Sequence, residues 1–425
     1  MPGQGAGPAS GTDDALDTDY APLAAELAAR DAVGFVAVGD RFDDDLRWLT
    51  RFSGPDRDYA FVATPASDSD DDRDGAEADG DSVHTSLCAP ALFDEQARRE
   101  FPGDAVRVDD QGDPAGVRAA GALADRGAES GTVLVPRGIP HDAAVYLERA
   151  GYEVASTDAV ARARETKTDA EIDRLRRVQR AAIRGIARAE EILAEATVDA
   201  AADGRDDAAG GGDGAGAVRW NGGVLSTERL RRQVNEVLAA HGVRDADNTV
   251  IGAGPTAADL HYTGTDVIRP GETVLLDVSP RGPDGYYGDV TRTFAVAPDG
   301  GWERRAYLAV EAAREAALEE VAAGVPASTV HEEAAAELAA HGFRVDSPEV
   351  GFTHSTGHGV GVSLHEGPSL GGDDELERGN VVTIEPGVYD PEEGGVRLED
   401  LIVVTDDGFE FLGEYPFSLV PRERE

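Results

Sequence analysis

The sequence holds one cysteine, Cys88, and one lysine, Lys167. A single thiol excludes an intramolecular disulfide and any thiolate cluster around a metal, and it points to a reducing compartment. Lysine is missing elsewhere although Lys and Arg together number 39, so almost all the positive charge is guanidinium. Long apolar runs are missing too: none reaches the ~20 residues that span a bilayer. Met1 to Asp19 is small, polar and acidic, with neither the basic start nor the apolar stretch of a secretory leader. The expectation is a soluble, cytoplasmic protein with no membrane partner.

Positive charge is scarce against negative. Asp and Glu number 83, the formal net charge is -44, and the pI is near 4.4. Such a chain is repelled by nucleic acid, which excludes it as a partner. Asp/Gly-rich runs at Asp68 to Asp81 and Ala200 to Gly216 carry part of the charge, and the rest is spread along the chain. Arginine in place of lysine on an acidic surface fits a halophilic, haloarchaeal origin, where concentrated salt screens the repulsion. Hydrophobic residues still make up 41%, enough to exclude a disordered chain.

At 425 residues two domains are expected. From Pro22 to Val160, apolar runs such as Val33 to Val38, Tyr59 to Ala63 and Thr132 to Val135 alternate with helical stretches such as Ala143 to Ala150. This predicts a smaller α/β domain over residues 1–162. The pattern then changes. Thr168-Asp169-Ala170-Glu171 reads as a capping box opening a long amphipathic helix through Ile172, Leu175, Val178, Ile183, Ile186 and Ile192. Further helices are expected over Ser226 to His241, Trp302 to Ala323 and Ser328 to Gly342. Turn-bounded strands are expected over Val274 to Val278, Val381 to Ile384, Leu401 to Val404 and Phe409 to Leu412. Helices on one side of a largely antiparallel sheet make residues 163–425 an α+β domain, with an acidic, glycine-rich insertion at about 198–218.

The second domain places acids where they are costly. Asp277 closes the apolar run Val274-Leu275-Leu276, and Glu385 closes Val381 to Ile384. Asp289 lies where a hairpin would return it to Asp277, and Glu399 stands two residues from Arg397, on the same strand face. Four carboxylates brought to one place do not all stay ionised without cations between them. The run His354-Ser355-Thr356-Gly357-His358-Gly359-Val360-Gly361-Val362-Ser363-Leu364-His365 holds three of the nine histidines, and His261 lies in a loop before the first acidic strand. Each position alone has an ordinary reading as a cap, a turn acid or a solvated histidine. Their combination and order do not.

Gly357-His358-Gly359, Thr383-Ile384-Glu385-Pro386-Gly387 and Gly395-Val396-Arg397-Leu398-Glu399-Asp400 resemble motifs of the pita-bread metallopeptidases. This family includes Xaa-Pro aminopeptidases, Xaa-Pro dipeptidases (prolidases) and methionine aminopeptidases. The resemblance runs from Arg164 to the C-terminus, and the first domain looks like the creatinase/prolidase N-terminal domain. It implies that Asp277, Asp289, His358, Glu385 and Glu399 hold two divalent ions, manganese first and cobalt or zinc as alternatives, whose shared water becomes a hydroxide nucleophile. It implies that His261 and His365 contact substrate and the tetrahedral intermediate, that Glu385 also carries a proton to the leaving nitrogen, and that His354 and Arg397 belong to the catalytic set. The implied substrate is a peptide with proline at its second position, and a homodimer is a common family assembly. Two departures stand out: a spacing of twelve from Asp277 to Asp289, and Ser279 where a glycine is frequent. Neither is expected to touch a ligand. Alternatives on the same fold are a hydrolase or lyase of another substrate, including methionine aminopeptidase, and a binding protein without catalysis.

Overall fold

The computed structural model describes residues 16–66, 82–109, 112–198 and 216–424. The chain divides into two compact units, one ending at Ser156 and the other beginning at Thr157. The glycine-rich acidic runs at 68–81 and 200–216 fall almost entirely outside the described residues.

The first unit contains β1 (Gly34–Gly39), β2 (Tyr59–Pro65), β3 (Val83–Pro90), β4 (Ala105–Asp109), β5 (Gly131–Pro136) and β6 (Tyr152–Thr157), in the order β4-β3-β2-β1-β5-β6. Around them lie α1 (Ala21–Ala29), α2 (Asp44–Thr50), α3 (Asp94–Glu100), α4 (Ala115–Asp125) and α5 (His141–Arg149). Every residue of β1 is buried, so both faces of the sheet are covered. Val36, Val38, Val62 and Val133 pack with Leu123 and Leu147 of α4 and α5. Phe35 and Phe61 point the other way, where Phe61 meets Tyr20 and Phe101.

The second unit opens with α6 (Ala159–Ala163) and α7 (Asp169–Glu195), then β7 (Thr197–Val198), β8 (Val218–Trp220), β9 (Gly223–Val224), α8 (Thr227–Ala240), β10 (Thr249–Ala253), β11 (Thr273–Val278) and β12 (Val290–Ala295). It continues with α9 (Trp302–Glu319), α10 (Ala327–Ala340), β13 (His358–Gly359), β14 (Glu366–Ser369), β15 (Val381–Ile384), β16 (Gly387–Asp390), β17 (Gly394–Arg397), β18 (Asp400–Thr405) and β19 (Gly408–Phe411). The capping box forms as expected: Thr168 Oγ1 accepts from Glu171 N, and Glu171 Oε2 accepts from Thr168 N. At α8 the cap is one-sided: Ser226 Oγ accepts from Arg229 N.

Two similar halves follow. In one, α7 and α8 cover the antiparallel sheet β10-β11-β12, and Ile186, Ile192, Val234 and Leu238 pack on Leu276, Val278 and Phe294. In the other, α9 and α10 cover the sheet β14-β13-β15-β18-β19, with Val310 and Leu338 against Ile384 and Ile402. The second unit is thus a mixed α+β structure with helices on one side of antiparallel sheets. The sequence suggested that Arg397 and Glu399 share one strand, but the structure breaks it. β17 ends at Arg397, Leu398 and Glu399 form no ladder, and β18 starts a different sheet at Asp400.

The halves are tied together at that break. Thr293 Oγ1 on β12 donates to Arg397 O and accepts from Arg397 N, and Glu399 N donates to Thr291 O. Beneath them Arg292, 1% exposed, donates to Glu399 O at 2.6 Å and to Asp400 Oδ1 at 2.7 Å, while Arg314 pairs with the other oxygen of Asp400. A carboxylate held by two guanidiniums is paid for electrostatically even when it is buried.

Candidate metal centre

The strand ends around this break converge on one cavity of about 310 Å³. Asp277, Asp289, His358, Glu385, Glu399, His261, His354, His365 and Arg397 all line it. Nine positions spread over 139 residues of sequence share it because strand ends and the loops beside them meet there. Asp277 lies on β11 opposite Thr291. Asp289 immediately precedes β12, His358 opens β13, Glu385 follows β15, and Glu399 lies between β17 and β18. His261 and His365 stand in exposed loop positions at the rim.

Asp277, Asp289 and Glu399 each place a carboxylate oxygen within 4.8 Å of the other two. His358 Nε2 lies 3.3 Å from Glu385 Oε1 and 3.8 Å from Asp289 Oδ2, which joins the remaining two positions to the group. Asp289 and Glu399 are almost fully buried. Burial, followed by the charges of the neighbouring carboxylates, raises both well above the ordinary carboxyl range. Burial likewise pushes Glu385 up to about 7, against the pull of Arg397. Acids forced this close are frustrated unless protons or cations lie between them. Oxygen donors with one imidazole suit hard or borderline divalent ions, so the donor set fits such ions.

Further residues hold these ligands in place. Gln179 of α7, fully buried, clamps the backbone of Asp289: its Nε2 donates to Asp289 O and its Oε1 accepts from Asp289 N, both at 2.8 Å. Gly288 makes this possible, because a Cβ there would lie 3.0 Å from backbone atoms of Val178 and Gln179. Ser279 corrects the sequence reading, since its Oγ lies 2.8 Å from Oδ1 of both Asp277 and Asp289. Thr291 Oγ1 donates to Glu399 Oε2, and Thr383 Oγ1 reaches Glu385 Oε1 at 3.1 Å. Gln179, Ser279, Thr291 and Thr383 were not singled out as site residues in the sequence. Ser279 gave a signal, as a side chain in a position where a glycine is frequent, and Thr383 stood inside a motif of the resemblance.

Each of the three guanidinium nitrogens of Arg397 makes a hydrogen bond within the protein. It donates to Asp277 Oδ2 at 2.6 Å, Tyr389 Oη at 2.9 Å and Thr291 Oγ1 at 3.1 Å. An arginine has no acceptor, so Tyr389 receives its hydrogen bond and must direct its own proton elsewhere. His354 Nε2, 2.8 Å from Tyr389 Oη, accepts that proton, which places the imidazole hydrogen on Nδ1, where it donates to Ser355 O at 2.7 Å. His354 is therefore neutral, and burial, with Arg397 adding to it, lowers its pKa to about 3. Both ring nitrogens of His354 are spoken for. Burial and then His358 also lower His365, which leaves it neutral near pH 7.

Residues 173–406 match metallopeptidase family M24. A probable dipeptidase, PepE, of Mycobacterium tuberculosis is 31% identical over 272 residues, which is 63% of this chain and 63% of that protein. The Xaa-Pro dipeptidase of Pyrococcus furiosus is 34% identical over 168 residues, 39% of this chain and 47% of that protein. The chain thus spans less than two thirds of the length of these relatives. Among solved structures, dipeptidase PepE from Mycobacterium ulcerans has a TM-score of 0.71 at 27% identity, covering 94% of this chain and 96% of that one. Prolidase from Pyrococcus furiosus has a TM-score of 0.72 at 21% identity, covering 93% and 100%, and so supports the fold alone.

Proposed function

Because the chain belongs to metallopeptidase family M24, we propose that it is a two-metal hydrolase that cleaves the first bond of peptides whose second residue is proline. One observation carries this reading. Asp277, Asp289 and Glu399 bring oxygens within 4.8 Å of one another, beside His358 and Glu385, in a buried setting that calls for positive charge. These five residues would hold the ions. When bound, two divalent ions polarise a carbonyl and lower the pKa of water.

The chain's own groups supply the rest. Glu385, at the edge of the cluster, would take a proton from the nucleophile and hand it to the leaving nitrogen. His261 and His365 at the rim offer N–H donors to the oxygen that gains negative charge. Arg397 fixes the Asp277 carboxylate, and Tyr389 with His354 fixes Arg397 in turn. A bond before proline has a tertiary nitrogen without N–H, so a site that works on the carbonyl side suits it.

The test is a peptide panel with added manganese or cobalt in strong salt. The reading expects cleavage of the first bond in Xaa-Pro or Xaa-Pro-Yaa peptides and little action on N-terminally blocked ones. Comparison of the two lengths separates dipeptidase from aminopeptidase. Exclusive cleavage after an initial Met followed by a small residue would overturn it in favour of a methionine aminopeptidase.

A further inference from the structure

The single lysine of this chain lies in its interior. The Lys167 side chain is 2% exposed, and its Nζ lies 2.7 Å from Glu366 Oε1, as an ion pair off the axis of a good hydrogen bond, while donating to Glu165 O at 3.0 Å. Arg164, also buried, places Nη2 2.6 Å from Glu366 Oε2 and bonds Ser363 Oγ. Two cations from the segment leading into α7 therefore close on one carboxylate 202 residues away from Arg164 in sequence. Burial works against the charge on Glu366, but Lys167 and Arg164 outweigh it and hold the carboxyl below its usual range.

A buried cluster of this kind is weak evidence for stability in itself. Its position is more informative. Glu366 directly follows His365, and among the described residues no hydrogen bond from the protein reaches the His365 ring, whose contact is His358 at 4.3 Å between centroids. The loop before it is folded onto the same carboxylate: a Cβ at Gly361 would stand 2.1 Å from Glu366 Oε1. His365 thus inherits its place from the neighbouring anchored residue.

We propose that Lys167 and Arg164 are positioning residues for His365, acting through Glu366. Lys167 presents a compact ammonium to Glu366, a point charge that a planar guanidinium does not reproduce. The proposal rests on the functional reading above for what His365 does, but not for how it is held.

Lys167→Met and Arg164→Met each leave Glu366 with one matched cation, so both variants are expected to fold. In metal-free protein labelled at histidine, with the His365 signal assigned from His365→Gln, each variant should shift or broaden the His365 ring resonance and leave that of His341 in place. Lys167→Arg should not restore it. In the metal-loaded enzyme the same variants should lower kcat/KM for an Xaa-Pro peptide by about tenfold to a hundredfold, with metal content unchanged. In a His365→Ala background they should change it by less than about twofold, since the two sites then act as one. An unmoved His365 signal, or an equal loss in both backgrounds, overturns the proposal. If the parent enzyme cleaves no Xaa-Pro peptide, the functional reading fails while the ring signal still decides the clamp.

Discussion

His261 and His365 line the cavity without belonging to the carboxylate cluster, and this separates two kinds of loss. His261→Ala and His365→Ala should keep their metal and lose turnover about a hundredfold, the usual cost of removing one donor to a developing oxyanion. Elemental analysis beside a rate assay checks this, and parallel loss of metal would make them ligands. The acids predict a pH effect of definite sign. Glu385 is raised from 4.5 to about 7 in the folded chain, so the fold retains a proton there that the unfolded chain releases. The metal-free protein should therefore lose stability as pH rises across that window, and Asp289 and Glu399 act in the same direction. Glu366 has the opposite sign, contributing above the ordinary carboxyl range and failing in acid. It drops out of the difference between loaded and chelated protein. The gain in Tm on adding metal should thus grow with pH through the window, and a gain that shrinks would contradict the raised carboxyls. The acids were legible in the sequence because a carboxylate closing an apolar run is costly. Gln179 was not, because one polar residue on an amphipathic helix looks like a solvated one. Its partner, Asp289, is 110 residues away.

Among the elements, β13 and the glycine before it are tightly confined. A Cβ at Gly357 would lie 2.0 Å from Thr383 O, and one at Gly359 would lie 2.0 Å from Gly367 O. Either Gly→Ala change must push β13 from its neighbours and carry His358 with it. The expected cost is about 1–3 kcal/mol of stability, with weaker metal binding, checked by denaturant titration with and without metal. Unchanged metal affinity would show that His358 is not placed by this strand. The start of α7 was readable from local chemistry, since Thr168 and Glu171 form the capping box expected of them. Sheet membership was not. Whether Val396 and Leu401 lie in one ladder or two depends on Thr291 and Thr293 of β12, which bond across the break and leave no trace in local pattern.

At the scale of the whole molecule, a formal net charge of -44 is self-repulsion that salt can screen. The denaturation midpoint should rise from dilute buffer into molar KCl, and equal midpoints would place the charge where it does not oppose folding. The central claim concerns charge as well, at the one place where buried acids need cations. The most direct measurement is the number of divalent ions bound per chain, by elemental analysis after equilibration with manganese and removal of excess. The account predicts two ions for the native sequence and fewer for Asp289→Ala and Glu399→Ala, with most hydrolysis lost in both. A native chain that binds none, or variants that keep both ions and full activity, would contradict it.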